Sequence, residues 1–141
     1  MKSFLDTSVL IPVFYGDHTH HTKSLDIFVR CTKNDSCCGA HSLVEVYSAL
    51  TRMPGKHRIS CEQTMLFIGD IHEHLTIIAL DGNEYFETLR KAADSGLVGG
   101  VIYDAILARC AIKSNAEVIY TWNVRHFGRL GEEVKSRTRT P

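Results

Sequence analysis

This chain of 141 residues has no surplus of either charge. Sixteen Lys and Arg offset sixteen Asp and Glu, so bulk charge points to neither nucleic acid nor a membrane surface, and any such partner must be recognised by a local patch. No run approaches the roughly 18 apolar residues that span a bilayer. C-x-x-C spacing is missing, and the five cysteines, Cys31, Cys37, Cys38, Cys61 and Cys110, are an odd number. A disulfide framework and a cysteine-based zinc site are therefore both disfavoured. Internal repeats, low-complexity tracts and linkers are also missing, which leaves a single domain over residues 1–141. The opening "MKSFLDTSVLIPVFYG" starts like a secretory signal, but Asp6 interrupts the apolar run and no small-residue cleavage site follows. It is expected to be a first strand, in a protein that stays in the cytoplasm without a membrane partner.

What is present is ordinary globular composition, 44% hydrophobic and 23% charged, sufficient for a sizeable core. Short strands are expected at "SFLD" (3–6), "SCCGA" (36–40), "TIIALD" (76–81) and "EVIYTW" (117–122). Helical spacing recurs between them, in 17–30, 41–53, 60–75, 83–96 and the run after Gly99-Gly100. Residues 7–14 begin a helix or turn that Pro12 disturbs, and Ser60 with Gln63 reads as a capping box. Cys61 and Cys110 lie in helix-like stretches and are expected as small core residues. "HTHH" (18–21), the densest group among eight histidines, reads as a solvated helix start rather than a zinc site. Asp81 is expected to cap the helix after it, and "KSRTRTP" (135–141) to be a mobile basic tail. Four alternations of strand with helix, three of the strands apolar throughout, predict an α/β fold: a three-layer α/β/α sandwich with a central parallel sheet.

Ligands of open α/β sheets sit at the carboxyl ends of the strands. Four polar residues fall there or on the adjoining helices: Asp6, Glu45, Asp104 and Asn123. Each has an ordinary structural explanation. Asp6 can cap the next helix, Glu45 can belong to a solvated stripe with Ser42, Ser48 and Ala49, Asp104 suits a first helical turn, and Asn123 suits a turn after a strand. Taken together they point to chemistry. Three neighbouring carboxylates raise one another's pKa values, a divalent cation relieves that conflict, and hard oxygen donors suit Mg²⁺ or Mn²⁺.

"FLDTSVLI", "SLVEVYSAL", "GGVIYDAILARCA" and "YTWNVRHF" resemble, in order and spacing, the four signature segments of PIN domains, most nearly the VapC-type ribonuclease toxins of toxin–antitoxin pairs. The resemblance runs from residue 3 to about residue 130. It implies an acid cluster, Asp6, Glu45 and Asp104, that binds Mg²⁺ or Mn²⁺, with Asn123 where many members carry a fourth Asp. The implied activity is that of a metal-dependent endoribonuclease: a metal-activated water attacks an RNA phosphodiester in line and leaves a 5′-phosphate and a 3′-hydroxyl. Asn123, neutral and able to donate as well as accept, would orient water; a second metal would be held weakly. Thr7, Ser8 and Thr121 would supply hydroxyls behind the metal ligands, or equally satisfy strand-end backbone groups. The family also implies a cognate VapB-like antitoxin and a homodimer.

RNA needs positive charge around an acidic cleft. The candidates are Arg52, Lys56, His57 and Arg58 at the Pro54-Gly55 turn, together with Arg109, Arg125 and His126. Competing readings are a PIN-like binding module whose catalytic site has decayed, to which Asn123 points, and a phosphotransfer receiver using Asp81, which lacks the adjacent acid pair. A dehalogenase-type phosphatase needs a second Asp where Ser8 stands.

Overall fold

Alternation of side-chain direction along the strands divides the interior in two. The computed structural model describes residues 1–141. Its strands are β1 (Ser3–Leu5), β2 (Ser36–Gly39), β3 (Thr76–Ile78), β4 (Val118–Tyr120) and β5 (Thr138–Arg139). All pair in parallel in the order β3-β2-β1-β4-β5, with Phe4 opposite Cys37 and Ile119. The helices are α1 (Thr7–Val13), α2 (His21–Phe28), α3 (Ala40–Thr51), α4 (Cys61–His74), α5 (Gly82–Asp94), α6 (Val101–Lys113), α7 (Val124–Phe127) and α8 (Glu132–Arg137).

Successive strand residues face opposite sides, so Phe4 and Cys37 join one core while Leu5 and Cys38 join the other. The first core packs Ile106, Leu107, Cys110 and Ala111 of α6 with Phe127 and Val134. The second packs Val9 and Leu10 of α1, Phe28, Val46 and Leu50 of α3, and Ile71 of α4. These two helical layers around an all-parallel sheet are the α/β/α sandwich expected from the sequence. At Gly39 the α6 layer comes so close that an added Cβ would stand 2.5 Å from Leu107 Cδ2.

Several local expectations change. Residues 135–141 are not a mobile tail: they finish α8 and form β5, because β4 otherwise leaves an open parallel edge. Tyr120 pairs with Arg139, Thr138 is buried, and Arg137 Nη1 donates to Ala116 O at 2.8 Å. Cys61 is exposed, since it is the first residue of α4 and precedes the turn that packs inward; Cys110 is buried as expected. Only the Ser60 half of the expected capping box forms, whereas Asp81 and Glu84 make a reciprocal box at α5. Pro12 sits inside α1, which stops one residue later. No helix is long and apolar enough to cross a membrane.

In strand order, β1 is where the chain turns from one half of the sheet to the other: β2 and β3 extend one way, β4 and β5 the other. The crevice above the carboxyl end of such a strand is where α/β sheets bind ligands. Asp6 is the first residue past that end.

Candidate active site

Asp6 is extended (φ −72°, ψ 158°) and caps α1. One carboxylate oxygen, Oδ2, accepts from Ser8 Oγ at 2.7 Å, from Thr121 Oγ1 at 2.8 Å and from Ser8 N at 3.3 Å. The other, Oδ1, is buried with no partner. Burial pushes the Asp6 pKa up, opposed by the Ser8 and Thr121 hydrogen bonds. Capping and ligand readings of Asp6 are thus compatible: a single oxygen serves the helix. An unpartnered buried carboxylate oxygen costs about 1–3 kcal/mol or more, which a bound cation would recover.

Glu45 comes from α3, which packs in the same layer as α1. Gly39 ends β2 and α3 begins at once, so the second turn of α3 carries Glu45 to the strand end. Its Oε1 accepts from Thr7 Oγ1 at 2.9 Å; the same hydroxyl lies 2.8 Å from the buried Ser42 Oγ. His41, four residues earlier, places Nε2 4.0 Å from Glu45 Oε1. Burial raises the Glu45 pKa, Thr7 and His41 oppose it, and the charge of Asp6 adds to it.

Asp104 is carried in the first turn of α6, entered through Gly99, whose φ of 67° suits glycine. His126 Nδ1 lies 3.0 Å from Asp104 Oδ2. Burial, then the charge of Asp6, raises the carboxyl pKa to about 6, with His126 working the other way and Glu45 adding to the rise. Asn123 is exposed; its backbone N–H donates to Thr121 Oγ1 at 3.0 Å, and its side chain caps nothing in α7. Thr121 thus serves both a strand-end backbone group and the Asp6 carboxylate.

These residues meet. Asp6, Thr7, Ser8, Ile11, Glu45, Asp104 and Asn123 line one cleft of about 230 Å³. The donor set fits Mg²⁺ or Mn²⁺: all oxygen, three carboxylates that repel one another, and one orphaned oxygen among them. No three of the chain's His, Cys, Asp and Glu side chains close into a tight ligand cage; a Mg²⁺ site of few carboxylates keeps room for water and phosphate oxygens.

The basic candidates are scattered. Arg52, Lys56 and Arg58 are exposed but do not line the cleft; Arg52 directly follows α3, roughly 10 Å along its axis from Glu45, and Lys56 and Arg58 come after it in the chain. Arg58 Nε donates to Met53 O, His57 bonds the Tyr15 hydroxyl, and Arg109 faces Glu84 at 3.6 Å. Arg125 is exposed beside Asn123, and His126 reaches Asp104. His41 and Tyr103 were not singled out in the sequence, although the His41–Glu45 spacing of four residues was a visible signal; Ser42, expected in a solvated stripe, is fully buried, because it faces the Thr7 hydroxyl.

A family model described as "PIN domain" matches residues 3–133. Two Mycobacterium tuberculosis proteins are similar over 114 residues each: Ribonuclease VapC40, 32% identical over 81% of either chain, and Ribonuclease VapC27, 29% identical over 81% of this chain and 80% of that one. Among solved structures, M. tuberculosis VapC20, a Sarcin-Ricin loop cleaving toxin, superposes with a TM-score of 0.72 at 11% identity, over 89% of this chain and 92% of that one. DNA-bound VapBC from Salmonella typhimurium gives 0.65 at 20% identity, over 100% and 97%. At such identities the structural likeness speaks for the fold.

Proposed function

The chain belongs to the PIN-domain family, among its VapC-type ribonuclease toxins, and from that premise we propose that it is a divalent-metal-dependent endoribonuclease acting on RNA phosphodiesters. The observation that carries the proposal is the buried, unpartnered Oδ1 of Asp6 in a cleft shared with Glu45, Asp104 and Asn123. Asp6 and Asp104, with Glu45 directly or through water, would hold Mg²⁺ or Mn²⁺. When bound, such an ion acidifies a water molecule and offsets the charge that builds on the phosphoryl oxygens.

The chain's own groups prepare that chemistry. Ser8 and Thr121 clamp Oδ2 of Asp6 and leave Oδ1 free, and Thr7 orients Glu45. His126 orients the Asp104 carboxyl. Asn123, uncommitted to its helix, can orient a water or accept the approach of a phosphate oxygen through its amide. The three acids would hold one ion, and a neutral Asn in place of a fourth acid would leave a second ion weakly held. Arg125, and to a lesser degree Arg52, Lys56 and Arg58, supply positive charge for the RNA backbone. Support for a cognate VapB-like antitoxin comes from the VapBC complexes that share the fold; a homodimer is part of the same proposal.

The test is cleavage of a mixed tRNA and structured-RNA pool by purified, antitoxin-free protein in Mg²⁺, in Mn²⁺ and in EDTA, beside Asp6→Asn. Metal-dependent cleavage reduced at least about 100-fold in a normally folded Asp6→Asn protein is expected. Identical patterns from wild type and variant would sink the assignment.

A further inference from the structure

Two pairs of stacked rings are joined, through the chain or a direct contact, to residues that line the acidic cleft. In the first, Tyr103 lies on His41 with centroids 5.2 Å apart and planes 8° from parallel. His41 reaches Glu45, Tyr103 directly precedes Asp104, and the Tyr103 ring is 49% exposed. In the second, His20 lies on Trp122 at 3.7 Å and 9°. Trp122 directly precedes Asn123, its backbone N–H donates to Ser8 Oγ, and its indole Nε1 donates to the buried Ser24 Oγ. Each pair therefore hangs from residues that shape the cleft, with one ring of the pair bracing the other.

The cleft also has little with which to grip a polyanion. Three acids line it, no Lys or Arg does, Arg109 faces Glu84, and the whole chain carries no net charge. Grip must come from something other than ion pairing alone. Stacking of bases on aromatic faces is indifferent to backbone charge and to sequence, and only unpaired bases offer their faces to a protein.

Resting on the nuclease reading, we propose that Tyr103 braced by His41, and His20 braced by Trp122, are the surfaces on which the bases flanking the scissile phosphate stack. Tyr103 and His20 are then positioning residues. They hold the strand across the acids and require that the nucleotides on either side of the cut be unpaired. This gives the "HTHH" segment a role that no metal-ligand reading supplies.

Trp122 is the chain's single tryptophan, so its emission reports the second stack directly. The experiment titrates a short unstructured RNA oligonucleotide, and the same strand annealed to its complement, against the full chain in Mg²⁺. Binding is read by stopped flow before product accumulates, and cleavage of the same strand is followed afterwards. Tyr103→Ala is expected to weaken binding of the unpaired strand and raise KM about tenfold, with kcat little changed and Tm unmoved; Tyr103→Phe keeps both. His20→Ala is expected to weaken binding similarly and to abolish the RNA-dependent change in Trp122 emission.

If Tyr103→Ala and His20→Ala bind and cut like wild type, or if Tyr103→Phe fails as badly as Tyr103→Ala, stacking is overturned. Wild type that binds the unpaired strand through these rings but cuts nothing in any metal overturns the nuclease reading and leaves stacking intact. No binding of either RNA by folded wild type overturns both.

Discussion

Each acid of the cleft is held above its ordinary pKa chiefly by burial. For Asp104 the carboxyl rises from 3.8 to about 6. Between those values the folded chain binds more protons than the unfolded one, so metal-free stability falls as pH rises through that window. Partly screened by solvent, a shift of this size is on the order of 1–2 kcal/mol at neutral pH. Metal-free protein is therefore expected to melt at a higher temperature at pH 5 than at pH 7.5. Asp104→Asn is expected to melt above wild type at pH 7.5, and Mg²⁺ to recover the difference for wild type alone. The same proton competes with the cation, so Mg²⁺ affinity measured calorimetrically is expected to fall as pH drops below about 6. A flat melting temperature across this range would show that Asp104 is not strained by its neighbours.

At the scale of elements, α6 stands where it does because β2 offers it a glycine. Leu107 occupies the space a Cβ at position 39 would take, and both residues are fully buried or nearly so. Overpacking of this kind typically costs 1–3 kcal/mol; Leu107 is a side-chain tip that can yield in part, so Gly39→Ala is expected to cost about 1 kcal/mol in urea melts. Because α6 carries Asp104 one turn from its start, the same substitution is expected to slow cleavage more than its stability cost explains. Leu107→Ala empties a fully buried core position and is costly by itself, but combined with Gly39→Ala it should cost less than the sum of the two single substitutions; strict additivity would mean the contact is not the cause. The close approach was invisible in "SCCGA", where Gly39 read only as the end of a small-residue strand.

For the whole molecule, strand order brings the acids together. The chain leaves β1 for β2 and β3 on one side and returns to β4 and β5 on the other, so loops far apart in sequence open on one crevice. The C-terminal segment takes part: Thr121 N–H donates to Arg139 O at 3.0 Å, and Thr121 Oγ1 holds Asp6. Deleting residues 136–141 strips β4 of its neighbour and leaves Ala116 O without Arg137. A loss of about 2–3 kcal/mol is expected in denaturant melts. Cleavage per folded molecule is also expected to fall, because Thr121 is no longer anchored. A truncated protein as stable and as active as the full chain would make residues 136–141 dispensable after all.

Asp6, Glu45 and Asp104 were legible in the chain because each sits at a fixed offset from an apolar strand or helix, and hydrophobic periodicity is a property of neighbouring residues. So were the alternation of strands with helices and the caps at Asp6 and Asp81. The two-residue β5 was not, since "TR" in a basic terminus has no strand pattern and pairs only because β4 presents an open edge. Nor were the stacks of His41 on Tyr103 and His20 on Trp122, whose members come from separate elements. Likewise, a third donor joins the two from Ser8 on one oxygen of Asp6 only because Thr121 arrives from the end of β4, next to β1 in the sheet and far from it in the chain. Local pattern specifies which segments form and which residues they can offer; which of them meet, and at what charge, is decided by the order in which the strands pack and the water that packing excludes.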